Sequence, residues 1–155
     1  PELCTALILG GGGAGPHLRQ DHRTNGYRGD LAEYRRFHIT QICAPGFTET
    51  PIGAYLLELF LKTSPWLDGE AIAQVFIAQG AVDLRPRLPS ITVPTLVING
   101  EHDNSLPGGI ETAKLIPGAK HVILPGAGHA SSAEDPAGFD SAVITFLEER
   151  GLMPT

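Results

Sequence analysis

The stretch Val93-Pro94-Thr95-Leu96-Val97-Ile98-Asn99-Gly100-Glu101-His102-Asp103 decides the fold, together with Gly126-Ala127-Gly128-His129 further along the chain. Val93–Ile98 is a short, nearly continuous apolar run rich in β-branched residues. Such a run is typical of a strand buried on both faces of a parallel sheet. Val122-Ile123-Leu124 repeats the pattern and stops at Pro125-Gly126. Each run therefore ends at small residues and then presents one titratable side chain, Asp103 or His129.

The residues between these two strands predict a short helix. Its apolar face is formed by Ile110, Ala113, Leu115 and Ile116, and Pro117-Gly118 ends it. A strand, a crossover helix and a second parallel strand place both strand ends at the same edge of the sheet. Ligands of open α/β sheets bind outside that edge. We therefore expect Asp103 and His129 to lie side by side at a site.

This arrangement resembles the C-terminal half of the α/β-hydrolase family, in which nucleophile, acid and histidine follow one another along the chain. The resemblance covers roughly the last 65 positions. It rests on Pro94–Ile98 before Gly100 and Asp103, on Leu115–Ala119, on Gly126–His129 with Glu134 and Pro136, and on the closing helix Phe139–Leu147. It implies an α/β fold with about three parallel strands flanked by helices, a helical cap insertion, and catalytic roles for Asp103 and His129.

The resemblance also implies a division of the chain. Residues 1–13 and 89–155 are expected to form the C-terminal part of the hydrolase core, and residues 14–88 the helical cap. Leu3–Leu9 reads as a buried strand, and His17–Gly29 as a loop. Two cap helices are predicted, one after Thr50 and one capped by Asp68 or Gly69. Four cap residues are candidate substrate contacts, although packing of the cap against the core is an equal interpretation: Phe47, Tyr55, Leu59 and Trp66.

The glycine run Gly10–Gly15 allows three interpretations. Gly10, Gly12 and Gly15 match the G-x-G-x-x-G dinucleotide pattern, but the residues that follow lack the apolar periodicity of the helix that this site needs. An oxyanion loop of the lipase type fails on chain order, because no G-x-S-x-G elbow follows. The run is best interpreted as a flexible exit from the sheet.

Composition excludes several classes of function. The net charge is −6 with 11 Lys and Arg, and no basic run occurs, which disfavours nucleic acid and membrane partners. His17, His22 and His38 show no ligand spacing with each other or with cysteine, so we expect no metal site and no cofactor. No signal peptide is visible, which predicts a cytoplasmic protein.

A nucleophile is missing from the pattern. The sequence starts Pro1-Glu2-Leu3 and enters an apolar run at once, as if it were the second part of a longer protein. We expect a separate N-terminal hydrolase chain to carry the first strands, the nucleophile and the oxyanion donors, and to pair along Leu3–Leu9.

The function implied is hydrolysis of an ester or amide-type bond in a small, apolar substrate. In that chemistry the carboxylate orients the imidazole, which takes a proton from the nucleophile. If each residue is considered alone, Asp103 could be a loop residue whose side chain forms an Asx turn with Ser105, and His129 could be a histidine of a surface loop. The alternatives are a non-catalytic ligand-binding module of the same fold, or a lyase or acyltransferase.

Overall fold

The computed structural model describes residues 3–15 and 21–153. Within them lie three strands and seven α-helices, with 3-10 turns at Phe47–Glu49, Ser64–Trp66 and Arg85–Ser90. The strands are β1 Leu7–Gly10, β2 Thr95–Gly100 and β3 Lys120–Leu124. The helices are α1 Asp21–Arg28, α2 Leu31–Ile42, α3 Pro51–Thr63, α4 Gly69–Gly80, α5 Leu106–Leu115, α6 Ser131–Glu134 and α7 Pro136–Glu149.

These residues divide into two compact units. The sheet unit contains residues 3–14, Ile42–Ala44 and residues 84–153. The helical unit contains residues 15, 21–41 and 45–83. The predicted division at 14–88 differs from this one at Ala14, at 84–88 and at Ile42–Ala44. Hydrogen bonds account for the first difference, because Ala14 N–H donates to Thr112 Oγ1 at 3.0 Å and its carbonyl accepts from Leu84 N–H at 2.9 Å.

The sheet is parallel, with strand order β1-β2-β3. Residues of β2 are buried throughout, as expected for a central strand with both faces covered. On one face, Leu96 and Ile98 pack with Leu124, Ala127 and Phe146 in the main core, against which α7 lies. Because side chains alternate along a strand, Asn99 points to the opposite face, where α5 approaches at Gly109. The predicted α/β architecture, with three parallel strands flanked by helices, is confirmed.

The first strand is shorter and more exposed than predicted. It covers Leu7–Gly10, not Leu3–Leu9, because pairing with β2 begins at Leu7, opposite Thr95. Leu3 is fully exposed, and Ile8 is 37% exposed. Since β1 has no second strand beside it in the described part of the chain, its outer edge is open.

In the helical unit, the core combines Tyr27, Tyr34 and Ala73 with partly buried Leu31, Ile72 and Phe76. The prediction of a loop over residues 17–29 is wrong from Asp21 onward, since Asp21–Arg28 forms a helix, and residues 17–20 lie outside the described range. Tertiary packing explains the error. Tyr27 stacks on Phe76 with 5.2 Å between ring centroids, and Arg28 forms an ion pair with Glu70.

The predicted helix starts are confirmed by their caps. Thr50 Oγ1 accepts from Gly53 N–H at 3.1 Å, and Pro51 is the first residue of α3. The Asp68 carboxylate accepts from Glu70 N–H and Ala71 N–H at the start of α4. Within the described ranges, no helix combines the length and apolarity that crossing a membrane requires.

Candidate active site

The carboxyl ends of all three strands meet at one edge of the sheet. Strand β2 ends at Gly100, and the following turn carries Asp103. Strand β3 ends at Leu124, and the following loop carries His129. Gly11 follows β1 with a positive φ of 63°, and a Cβ there would lie 3.4 Å from the His129 ring Nδ1. Three chain segments thus converge on one imidazole.

The loops after β2 and β3 are joined by backbone hydrogen bonds. Glu101 N–H donates to Leu124 O at 2.9 Å, and His102 N–H donates to Ala127 O at 2.8 Å. The two loops pass so closely at Gly100 that a Cβ there would lie 2.3 Å from the Ala127 carbonyl oxygen. Glycine is therefore required at position 100 for this approach, which holds the two loops side by side.

Asp103 and His129 are in direct contact. His129 Nδ1 donates to Asp103 Oδ1 at 3.0 Å. The Asp103 side chain is completely buried, whereas the His129 side chain is 41% exposed. With the Nδ1 proton held by the carboxylate, a neutral imidazole has its unprotonated nitrogen at Nε2. No hydrogen-bond partner of Nε2 lies among residues 3–15 and 21–153, so this nitrogen is available to accept a proton.

Other hydrogen bonds hold the Asp103 carboxylate in place. Asn99 Nδ2 donates to Oδ2 at 3.0 Å, and Ser105 donates from its backbone N–H and its hydroxyl at 2.8 Å. Burial, the largest single influence, raises the pKa of Asp103, but hydrogen bonds from His129, Asn99 and Ser105 outweigh it and hold the pKa well below its usual range. The Asx turn with Ser105 therefore coexists with the His129 contact.

The Glu134 carboxylate fixes the loop that carries His129. Its Oε2 accepts from Ala44 N–H at 2.7 Å and Gly128 N–H at 3.0 Å, and its Oε1 accepts from Ala130 N–H at 3.0 Å. The His129 N–H itself donates to Ile42 O at 2.8 Å. The segment Ile42–Ala44, assigned to the insertion by sequence, is thus part of the support for His129.

Cys43 lies beside this carboxylate and is not suited to be the nucleophile. Its thiol is buried. Burial and the neighbouring Glu134 carboxylate raise the pKa of Cys43 to about 12. Since the thiolate is the reactive form of cysteine, this thiol stays protonated and inert at neutral pH.

Sequence reasoning missed several residues that support the site. Neither Asn99 nor His121 was among the predicted site residues. Asn99 is buried and binds Asp103, and His121 binds Asn99. A polar residue in an otherwise apolar, central strand was the available signal, because a buried amide needs partners.

The four candidate substrate contacts are in different environments. Phe47 is buried. Tyr55, Leu59 and Trp66 are exposed, with Trp66 at 84% the most accessible of the four. Their contact with a substrate stays a prediction. In the described ranges, no group of three or more His, Cys, Asp and Glu residues is arranged to hold a metal ion.

Comparison with known proteins identifies the fold. The chain superimposes on an enol-lactonase from Burkholderia xenovorans with a TM-score of 0.79 and 28% identity, covering 92% of this chain and 56% of that one. A polyketide synthase, ThaQ, of Burkholderia thailandensis is 36% identical over 91 residues, 57% of this chain and 4% of that protein. A proline iminopeptidase of Flavobacterium johnsoniae is 31% identical over 68 residues, 43% of this chain and 23% of that protein.

These likenesses define the class as the α/β hydrolases, and the predicted resemblance to their C-terminal half is confirmed. A family model, TAP-like protein (Abhydrolase_4), matches residues 75–155, just over half of the chain. The chain therefore belongs to the TAP-like family of α/β hydrolases. It spans about half the length of the enol-lactonase and much less of the two sequence relatives.

Proposed function

We propose that this chain supplies the base and the acid of a nucleophile–histidine–acid triad that hydrolyses an ester or amide-type bond in a small, apolar substrate. The observation that carries the proposal is the 3.0 Å contact of His129 Nδ1 with the buried Asp103 carboxylate, at the edge where three parallel strands end. The contact directs the unprotonated Nε2 away from Asp103, as a general base requires.

The proposed chemistry follows from this geometry. As a serine or cysteine attacks the substrate carbonyl, His129 Nε2 takes its proton, and the imidazolium keeps its Nδ1 proton shared with Asp103. Because the pKa of Asp103 is held low, the carboxylate is ionised at neutral pH and stabilises that cation. His129 then returns the proton to the leaving group. Water then attacks the acyl intermediate while His129 Nε2 takes its proton, and that proton passes to the nucleophile as the bond between nucleophile and acyl group breaks.

The nucleophile is proposed to come from a segment or chain that adds to the outer edge of β1. No G-x-S-x-G motif occurs in the sequence. The open edge of β1, with Ile8 exposed on it, favours an added strand. The match to only 56% of the enol-lactonase supports the same proposal, because the remainder of that fold has no counterpart here.

An ester with an apolar acyl group is the substrate class we favour. The enol-lactonase neighbour is named for a cyclic ester, and the relative named as an iminopeptidase extends the class to amide-type bonds. Exposed Tyr55, Leu59 and Trp66 support an apolar group, because they offer aromatic and aliphatic surface.

The test is His129→Ala in the full-length protein, assayed with p-nitrophenyl butyrate as ester and proline p-nitroanilide as amide. We expect kcat to fall at least ~1,000-fold, since loss of the base removes stabilisation of the transition state. His102→Ala is the matched control, because His102 is exposed and adjacent in sequence to Asp103. Turnover that survives in His129→Ala, or a Gly or Ala where the nucleophile should stand, would favour a binding module instead.

A further inference from the structure

A chain of hydrogen bonds continues behind Asp103, away from His129. Asn99 Nδ2 donates to Asp103 Oδ2 at 3.0 Å, and Asn99 Oδ1 lies 3.1 Å from His121 Nε2. The strand register explains the second contact. Val97 pairs with His121, and Asn99 lies two positions further along β2, so His121 and Asn99 share one face of the sheet. An imidazole is long enough to reach such a diagonal neighbour.

The orientation of the Asn99 amide decides how it meets the carboxylate. With Nδ2 toward Asp103 the amide donates a hydrogen bond, whereas a flipped amide would bring Oδ1 against an anionic oxygen. Ser105 favours the first orientation, because its hydroxyl donates to Asp103 and so accepts from Asn99 Nδ2 at 3.3 Å. His121 favours the same orientation, because its Nε2–H can donate to the Asn99 amide only at Oδ1.

The surroundings leave Asn99 little freedom apart from this flip. Its side chain is fully buried, and a Cβ at Gly109 of α5 would lie 1.9 Å from Asn99 Oδ1. Glycine at position 109 therefore makes room for the amide. Burial lowers the pKa of His121, so its ring is neutral at pH 7 and has a single N–H. The contact with Asn99 requires that proton to be on Nε2.

We propose that His121 is a positioning residue of the active site, which orients the Asn99 amide so that Asn99 holds the Asp103 carboxylate in place for His129. This inference rests on the proposed function for its effect on catalysis, although the hydrogen-bond relay can be tested without turnover. His121 does not touch the reacting atoms. Loss of its N–H would let the Asn99 amide flip, and the flipped amide would repel Asp103 from the position in which it binds His129.

The relay is tested first by nitrogen-15 NMR of the ring nitrogens in the full-length wild-type protein at pH 7. We expect His121 as the Nε2–H tautomer and His129 as the Nδ1–H tautomer. Replacing His121 by Phe should weaken the His129–Asp103 hydrogen bond and shift the low-field His129 Nδ1–H proton resonance upfield. His121→Gln should restore it, because a Gln amide can donate to Asn99 Oδ1. If the wild-type protein shows His121 as the Nδ1–H tautomer, the proposal is overturned, and that result needs no variant.

Kinetics with p-nitrophenyl butyrate test the effect on catalysis. In His121→Phe we expect kcat to fall about tenfold with KM unchanged, and in His121→Gln to stay close to wild type. His102→Phe and His102→Gln are the matched controls at an exposed histidine, and both should match wild type. An equal loss in the two His121 variants, or none in either, would overturn the positioning role. If even wild type fails to hydrolyse the probe, the proposed function fails, while the NMR result still decides the relay.

Discussion

The edge around His129 and the surface of helices α3 and α4 are built in opposite ways. At the edge, polar groups have specific partners: Asp103 accepts from three residues, and Glu134 accepts three backbone N–H groups. On α3 and in the turn after it, apolar side chains such as Tyr55, Leu59 and Trp66 are exposed. At the edge, directional bonds fix single atoms, whereas the surface of α3 and of the turn after it presents apolar area to the outside.

Removing the charge of Glu134 should give the largest loss of stability. In Glu134→Gln the amide presents N–H groups to at least one of three backbone donors, so a buried donor loses its acceptor. We expect the free energy of unfolding to fall by about 3 kcal/mol in urea titrations. Exposed Glu148→Gln is the matched control and should change it by less than ~0.5 kcal/mol. Equal effects in the two variants would show that Glu134 does not fix the loop.

The second prediction concerns pH and Asp103. Its carboxyl has a lower pKa in the folded protein than in the unfolded chain, so its ionisation contributes stability above the unfolded pKa of about 4. That contribution is lost as pH falls from about 4 toward the folded pKa. We therefore expect Asp103→Asn to reduce the free energy of unfolding by about 2 kcal/mol at pH 7.

The difference in the free energy of unfolding between wild type and Asp103→Asn should shrink when the unfolding titrations are repeated from pH 7 down to pH 3. Asp140 is exposed, so Asp140→Asn is the control and should leave the free energy of unfolding nearly unchanged at each pH. A difference that stays constant down to pH 3 would contradict an ionised, hydrogen-bonded Asp103 as its origin.

The smallest effect is expected at Trp66. Because its side chain is 84% exposed, Trp66→Ala should change the free energy of unfolding by less than ~0.5 kcal/mol. Phe76→Ala, which removes a ring stacked on Tyr27, should cost about 3 kcal/mol. If Trp66 contacts substrate as proposed, its replacement raises KM for an apolar ester several-fold at unchanged kcat. A destabilisation by Trp66→Ala as large as that by Phe76→Ala would show that the Trp66 side chain is packed and not available to a substrate.

Local chemistry in the sequence was sufficient for much of the fold. The caps Thr50, Asp68 and Asp135 each bind the backbone N–H groups of the helix they precede. Short-range rules decide such features, because a cap and the groups that it satisfies lie within three residues of each other. The contact of Asp103 with His129 was also predictable, since two consecutive parallel strands must end at the same edge of a sheet.

Only the tertiary structure decided which residues support that contact. Glu134 binds Ala44, and Asn99 binds His121, across long intervals of sequence that carry no periodic signal. The same applies to β1, whose length is set by pairing with β2, and to α1, whose polar sequence becomes a helix when Tyr27 packs on Phe76. The sequence by itself determined where helices α3, α4 and α7 begin and which two side chains meet. Packing and hydrogen bonds between distant segments determined how those side chains are held. These contacts form, and contribute to stability, only when the chain has folded.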